Sequence, residues 1–144
     1  MEIPNKPFAD KRLEIRYIQE ISGWGVFAIS QINAGEIVEV APVIVYPRKM
    51  AEMTIFVCQA EGIPNKDLML DQYSLNWQED TAIPLGWTGL YNHKDDNNCQ
   101  FVANYQDSLL AILTLKDIQE NEQLFVSYGP YWFNEKGYIT KYEF

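Results

Sequence analysis

The chain has 144 residues, 47% apolar and 14% aromatic, with 20 acidic against 11 basic side chains and a net charge of −9. Length and apolar content describe one globular domain with room for its own core and exclude a disordered tail. The acid excess repels phosphate backbones and argues against a direct nucleic-acid partner. It would concentrate a Lys/Arg-rich peptide at any acidic cleft, although solubility explains the charge equally well.

Along the chain, residues 1–11 read as a polar, Pro-containing lead-in with little to hold it down. Leu13, Ile15 and Tyr17 then alternate with Arg12, Glu14 and Arg16, the period of a half-buried strand. A break around Gly23-Trp24-Gly25 leads into Val26–Ile29, and Asn33-Ala34-Gly35 turns the chain into a long β-branched run from Glu36 to Tyr46. Pro42 and Pro47 predict an edge position or a bulge there. Met50, Met53, Val57 and Ala60 have helical spacing, so residues 48–61 are predicted as a helix. Tyr73, Leu75 and Trp77 alternate with polar neighbours and predict a strand. The runs Gln100–Tyr105 and Leu109–Leu115 predict a hairpin, and Asn121 a turn at φ > 0 before a short strand ending at Tyr128. Beyond it lies an aromatic tail, residues 130–144, and no repeat or linker marks a second domain.

Cys58 and Cys99 form no C-x-x-C pair, so neither a disulfide framework nor a zinc cluster can be read from them. The N-terminal segment does not read as an apolar leader, and no run of the sequence comes near the roughly 18 apolar residues of a membrane span. The expectation is a soluble, intracellular, cytoplasmic protein, or one acting in a host nucleus if viral or secreted into a host.

Three short segments carry chemical potential. Gly23 and Gly25 flank Trp24 and allow close backbone approach to a ligand, although a lone G-x-G is more often a hairpin turn. The only histidine, His93, stands in Tyr91-Asn92-His93-Lys94-Asp95-Asp96-Asn97-Asn98, which by itself reads as a polar turn, a metal site or an amide-rich binding loop. A metal is disfavoured because no second histidine or ligand-spaced cysteine accompanies it. The third segment, Glu122 to Gly129, is a strand that delivers Tyr128 beside a glycine, and a core tyrosine is its default meaning.

Taken in order, these segments resemble the SET-domain protein lysine methyltransferases: an early G-x-G, then N-H with an Asn five residues after the His, then E-x-L-x-x-x-Y. Here they are Gly23 and Gly25, then Asn92, His93 and Asn98, then Glu122, Leu124 and Tyr128. The likeness runs from about Leu13 to Phe133 and is nearest to compact viral and bacterial members. Lys94, Asp95, Asn97 and Asn121 replace the usual Ser, Cys, Pro and Gly.

The resemblance implies a mainly β, β-clip-like SET fold of several short antiparallel sheets, with a small helical insert and a knot-like threading of the C-terminal strand. It implies one domain over residues 1–144, with its core at about 13–133. It also implies S-adenosylmethionine as methyl donor, S-adenosylhomocysteine as product, and transfer to the ε-amine of a lysine in a basic protein. Tyr128 would be catalytic, and Gly23, Trp24, Gly25, Asn92, His93 and Trp132 would bind the cofactor. Tyr91, Tyr131 and Phe133 would line the substrate channel, with Asn98 fixing the loop and no metal. The alternative is a non-catalytic peptide-binding module on the same scaffold. Oligomeric state is left open, a homodimer included.

Overall fold

The computed structural model describes residues 3–63 and 73–128. The strands and the α-helix that can be traced in full among these residues follow in the order β1 (Phe8–Ala9), β2 (Leu13–Ile18), β3 (Gly23–Ala28), β4 (Ile37–Tyr46), α1 (Arg48–Ala60), β5 (Leu75–Trp77), β6 (Asp80–Pro84), β7 (Asn92–His93), β8 (Cys99–Asn104), β9 (Leu109–Thr114) and β10 (Gln123–Val126). They form two sheets. One runs β5-β6-β4-β9-β8 with β1 also on β4, and the other runs β2-β3-β10-β7. All pairs are antiparallel except β7 with β10. Leu13, Val26, Ala28, Ile32, Val38, Tyr91, Cys99, Ile112, Ile118, Leu124 and Val126 form the main core cluster.

The predicted β2, β4, α1 and β8–β9 hairpin are present, as is the turn at Asn121, whose φ is 69°. Three expectations need correction. The lead-in is tied down, because Phe8 and Ala9 pair with Val40 and Glu39 and Ile3 packs on a core cluster. A two-residue strand has no periodicity by which to announce itself. Strand β4 is also central rather than an edge: it pairs with β9 along Ile37–Pro42 and with β6 along Val43–Tyr46. The sheet tolerates Pro42 because it stands where the partners on that side change, and its carbonyl accepts the Leu85 N–H at 3.0 Å. The bulge falls at Ile37/Glu39, away from either proline. Tyr73 lies outside the predicted strand, which begins at Leu75.

Helix α1 contains no buried residue. Among the described residues, no helix is long and apolar enough to cross a membrane.

Candidate active site

The small sheet brings the three sequence segments together. Strand β10 enters between β3 and β7, with Gln123 opposite Phe27, Leu124 opposite Val26, Phe125 beside Asn92 and Val126 beside His93. This is the expected adjacency of the N-H segment and the C-terminal strand. Any threading beyond Tyr128 falls outside the described residues.

Gly25 is closely approached by three side chains. A Cβ there would lie 2.6 Å from Gln123 Oε1, 2.8 Å from Ile18 Cδ1 and 3.1 Å from Asn92 Nδ2. The Asn92 amide donates to the Trp24 carbonyl at 3.0 Å and to Gln123 Oε1 at 2.9 Å. Both its hydrogens are thus spent on β3 and β10, while its Oδ1 makes no hydrogen bond to any described residue. The Trp24 ring is half exposed and meets Tyr17 edge-on at 5.4 Å, so Trp24 serves this node through its carbonyl.

His93 is 7% exposed, and the protein uses both ring nitrogens. Its Nδ1 accepts the Tyr128 backbone N–H at 2.9 Å, which requires an unprotonated Nδ1. Nε2 then carries the hydrogen and donates to Asp95 Oδ1 at 2.8 Å. Sequence reading expected His93 both to contact the cofactor and to fix the loop. In the structure both ring nitrogens are engaged in holding the loop and the Tyr128 backbone.

The loop that departs from the family spelling is well tied. Buried Asn98 acts as a surrogate strand partner for β10, donating to the Gln123 carbonyl at 2.9 Å and accepting the Phe125 N–H at 2.7 Å. Asn97 donates to the Cys99 carbonyl at 2.7 Å, and Lys116 binds Asp96 at 2.6 Å. Lys94 donates its backbone N–H to Val126 and holds its ammonium 5.1 Å from the Phe125 ring centre.

Tyr128 sits where these elements converge. Its hydroxyl donates to the Tyr91 backbone carbonyl at 2.6 Å, and its ring stacks on Phe101 with centroids 6.3 Å apart and planes 11° from parallel. A pocket opens beside it, lined by Tyr73, Leu75, Pro84, Thr88, Gly89, Phe101 and Tyr128. Tyr91, expected in the substrate channel, has its ring in the core. Its ring is fully enclosed among the described residues and its hydroxyl donates to Glu39 Oε1 at 2.9 Å, while its backbone carbonyl accepts the Tyr128 hydroxyl. Burial, and then the Glu39 charge, hold the Tyr91 phenol well above its ordinary pKa. Burial likewise pushes the Cys99 thiol up to about 12.

Phe101 and Tyr73 are the pocket aromatics that sequence reading missed. One signal existed for Phe101: on β8 it shares the inward face with buried Cys99, yet it stays only partly covered. Trp132, Tyr131 and Phe133 lie outside the described residues.

A family model for the SET domain matches residues 23–129. The chain belongs to the SET-domain family. It is similar to an H3 lysine-37 specific histone-lysine N-methyltransferase of Schizosaccharomyces pombe, with 27% identity over 132 residues, covering 90% of this chain and 82% of that protein. Its fold also matches the crystal structure of a candidate histone methyltransferase from Plasmodium falciparum, with a TM-score of 0.61 and 24% identity, covering 86% of this chain and 98% of that one. At the level of the SET family, the chemistry is protein lysine methylation.

Proposed function

We propose that this SET domain transfers a methyl group from S-adenosylmethionine to the ε-amine of a lysine in a basic protein. The observation that carries the reading is the placement of Tyr128: its phenol lies at the pocket, held from the Tyr91 carbonyl on one side and through its own backbone by His93 on the other. The donor set fits the cofactor. Asn92 Oδ1 is an acceptor suited to an ammonium group, beside backbone that Gly25 lets approach closely. When bound, the cofactor supplies an electrophilic methyl on a sulfonium.

The chain's own residues account for the rest. Tyr73, Phe101 and Tyr128 offer aromatic walls to the aliphatic stem of a lysine and π faces to its cation on entry. Free lysine has a pKa of about 10.4, and removing the amine from water favours the neutral, nucleophilic form. Its proton leaves to solvent. The Tyr128 hydroxyl hydrogen is committed to Tyr91, so the phenol oxygen presents lone pairs to an amine N–H and orients the nitrogen. The net charge of −9 agrees with a basic substrate. A cofactor-free binding module was motivated by the altered loop at residues 94–97, yet that loop makes its hydrogen bonds to His93 and Cys99.

The test is calorimetric binding of the cofactor, followed by methyl incorporation into histones and basic ribosomal proteins. Tyr128→Phe should lower turnover by about 100-fold or more while peptide affinity stays within about two-fold. No cofactor binding at millimolar concentration sinks the reading.

A further inference from the structure

Glu39 is a buried carboxylate that the mechanism above does not use. We infer that it is a positioning residue for the Tyr128 phenol, acting through Tyr91 and the turn at residues 86–91; the inference rests on the methyl-transfer reading. Glu39 lies on central strand β4 immediately after the bulge, is 2% exposed, and forms no ion pair among the described residues.

Its two oxygens grip both ends of one turn. Oε2 accepts the Trp87 N–H at 2.8 Å and Oε1 accepts the Tyr91 hydroxyl at 2.9 Å. Gly86, at φ 61°, makes the approach possible, because a Cβ there would sit 2.9 Å from Oε2 and 3.0 Å from Ala41 Cβ. The far end of this turn is Tyr91, whose carbonyl receives the Tyr128 hydroxyl at 2.6 Å and whose chain continues directly into Asn92 and His93.

Tyr91 therefore works as a lever. Its ring is held in the core with its hydroxyl on Glu39, and its backbone carbonyl accepts the phenol's hydrogen. A buried carboxylate without a cation is costly, and burial raises the Glu39 pKa. An apolar side chain would fill this volume at lower cost, but it could hold neither the Trp87 amide nor the Tyr91 hydroxyl. What the carboxylate adds is the fixed direction of the Tyr91 carbonyl.

The test uses the full chain labelled with 13Cζ-tyrosine, with the Tyr128 resonance assigned by Tyr128→Phe. Glu39→Gln and Tyr91→Phe are compared with the unsubstituted protein for that resonance and for peptide kcat and KM. Both variants should displace the Tyr128 resonance and lower kcat about 10- to 100-fold, with KM within about two-fold. The double variant should be no slower than the worse single one, since both act along one route. Tyr91→Phe removes a single oxygen and carries the test alone if Glu39→Gln fails to fold. A folded Tyr91→Phe with the resonance and kcat unmoved overturns the inference. A shifted resonance in a protein that never methylates supports the positioning role and sinks the methyl-transfer reading, so the two failures are separable.

Discussion

Asn98→Ala tests the claim that a side-chain amide substitutes for a missing strand along β10. The substitution removes the bond to the Gln123 carbonyl at 2.9 Å and the bond from the Phe125 N–H at 2.7 Å. Both partners are backbone groups, and the residue that satisfies them is 8% exposed. An unmet buried polar group costs roughly 1–3 kcal/mol; with water partly reaching the gap, the two together should cost about 2–4 kcal/mol. At roughly 3 °C per kcal/mol for a chain of this size, Tm should fall by about 6–12 °C. Asn97→Ala is the internal control, because it deletes one partly buried bond to the Cys99 carbonyl and should cost about 0.5–1.5 kcal/mol. The assay is thermal unfolding and urea titration of both variants, with an unchanged m-value as the check that only stability moved. If Asn98→Ala loses no more than Asn97→Ala, the surrogate-strand reasoning is refuted.

Gly25→Ala should destabilise by about 1–3 kcal/mol and weaken cofactor binding about 10-fold, because the new methyl must displace Gln123 Oε1 and the Asn92 amide; melting and calorimetry check both. In thiol labelling, partly exposed Cys58 should react in the native protein. Cys99, buried and pushed up to about 12, should react only on unfolding, and mass spectrometry after limited labelling distinguishes the two. Burial raises the Glu39 pKa above its ordinary 4.5, so the native state binds more protons than the unfolded chain just above that pH. This one group should therefore make stability fall as pH rises from 4.5 through its folded value, and Glu39→Gln should remove that component. Asp10 and Glu36 act oppositely: their hydrogen bonds to Arg12 lower their pKa values, so their contribution is present above the ordinary carboxylate range and is lost as pH falls through the folded values. Urea titrations from pH 3 to 7 on the wild type and Glu39→Gln separate the two trends.

The parts of this molecule legible in its sequence are those where a local pattern has one physical meaning. Leu13 and Ile15 alternate with polar neighbours because that face of β2 turns to the core, although the pattern lapses at Tyr17, which is exposed, and Asn121 announces a left-handed turn because few side chains tolerate one. Periodicity names a face without saying which way it turns. Helix α1 has the expected spacing, yet Met50, Met53, Phe56 and Val57 point outward while Arg48, Ala51, Ile55 and Cys58 are the partly covered positions. The same ambiguity attends Tyr91. An aromatic before Asn-His is spelled identically whether its ring lines a channel or fills a core, and Glu39, 52 residues away, decides between them.

Asn92, His93 and Asn98 were legible for a different reason. Each uses side-chain polarity to satisfy backbone groups of strands distant in sequence: the Trp24 carbonyl, the Tyr128 N–H, and the Gln123 and Phe125 backbone. Apolar residues cannot do that, and charged ones would bring a buried charge with them. A site built by mending the edges of a small sheet constrains residue type at fixed offsets, and this is what the three ordered segments record. The pocket's aromatic wall has no such constraint. Phe101 and Tyr73 meet Tyr128 only across the fold, and any ring of suitable size would pack there, so their role appears only when β8 and the turn at residues 86–91 are set side by side.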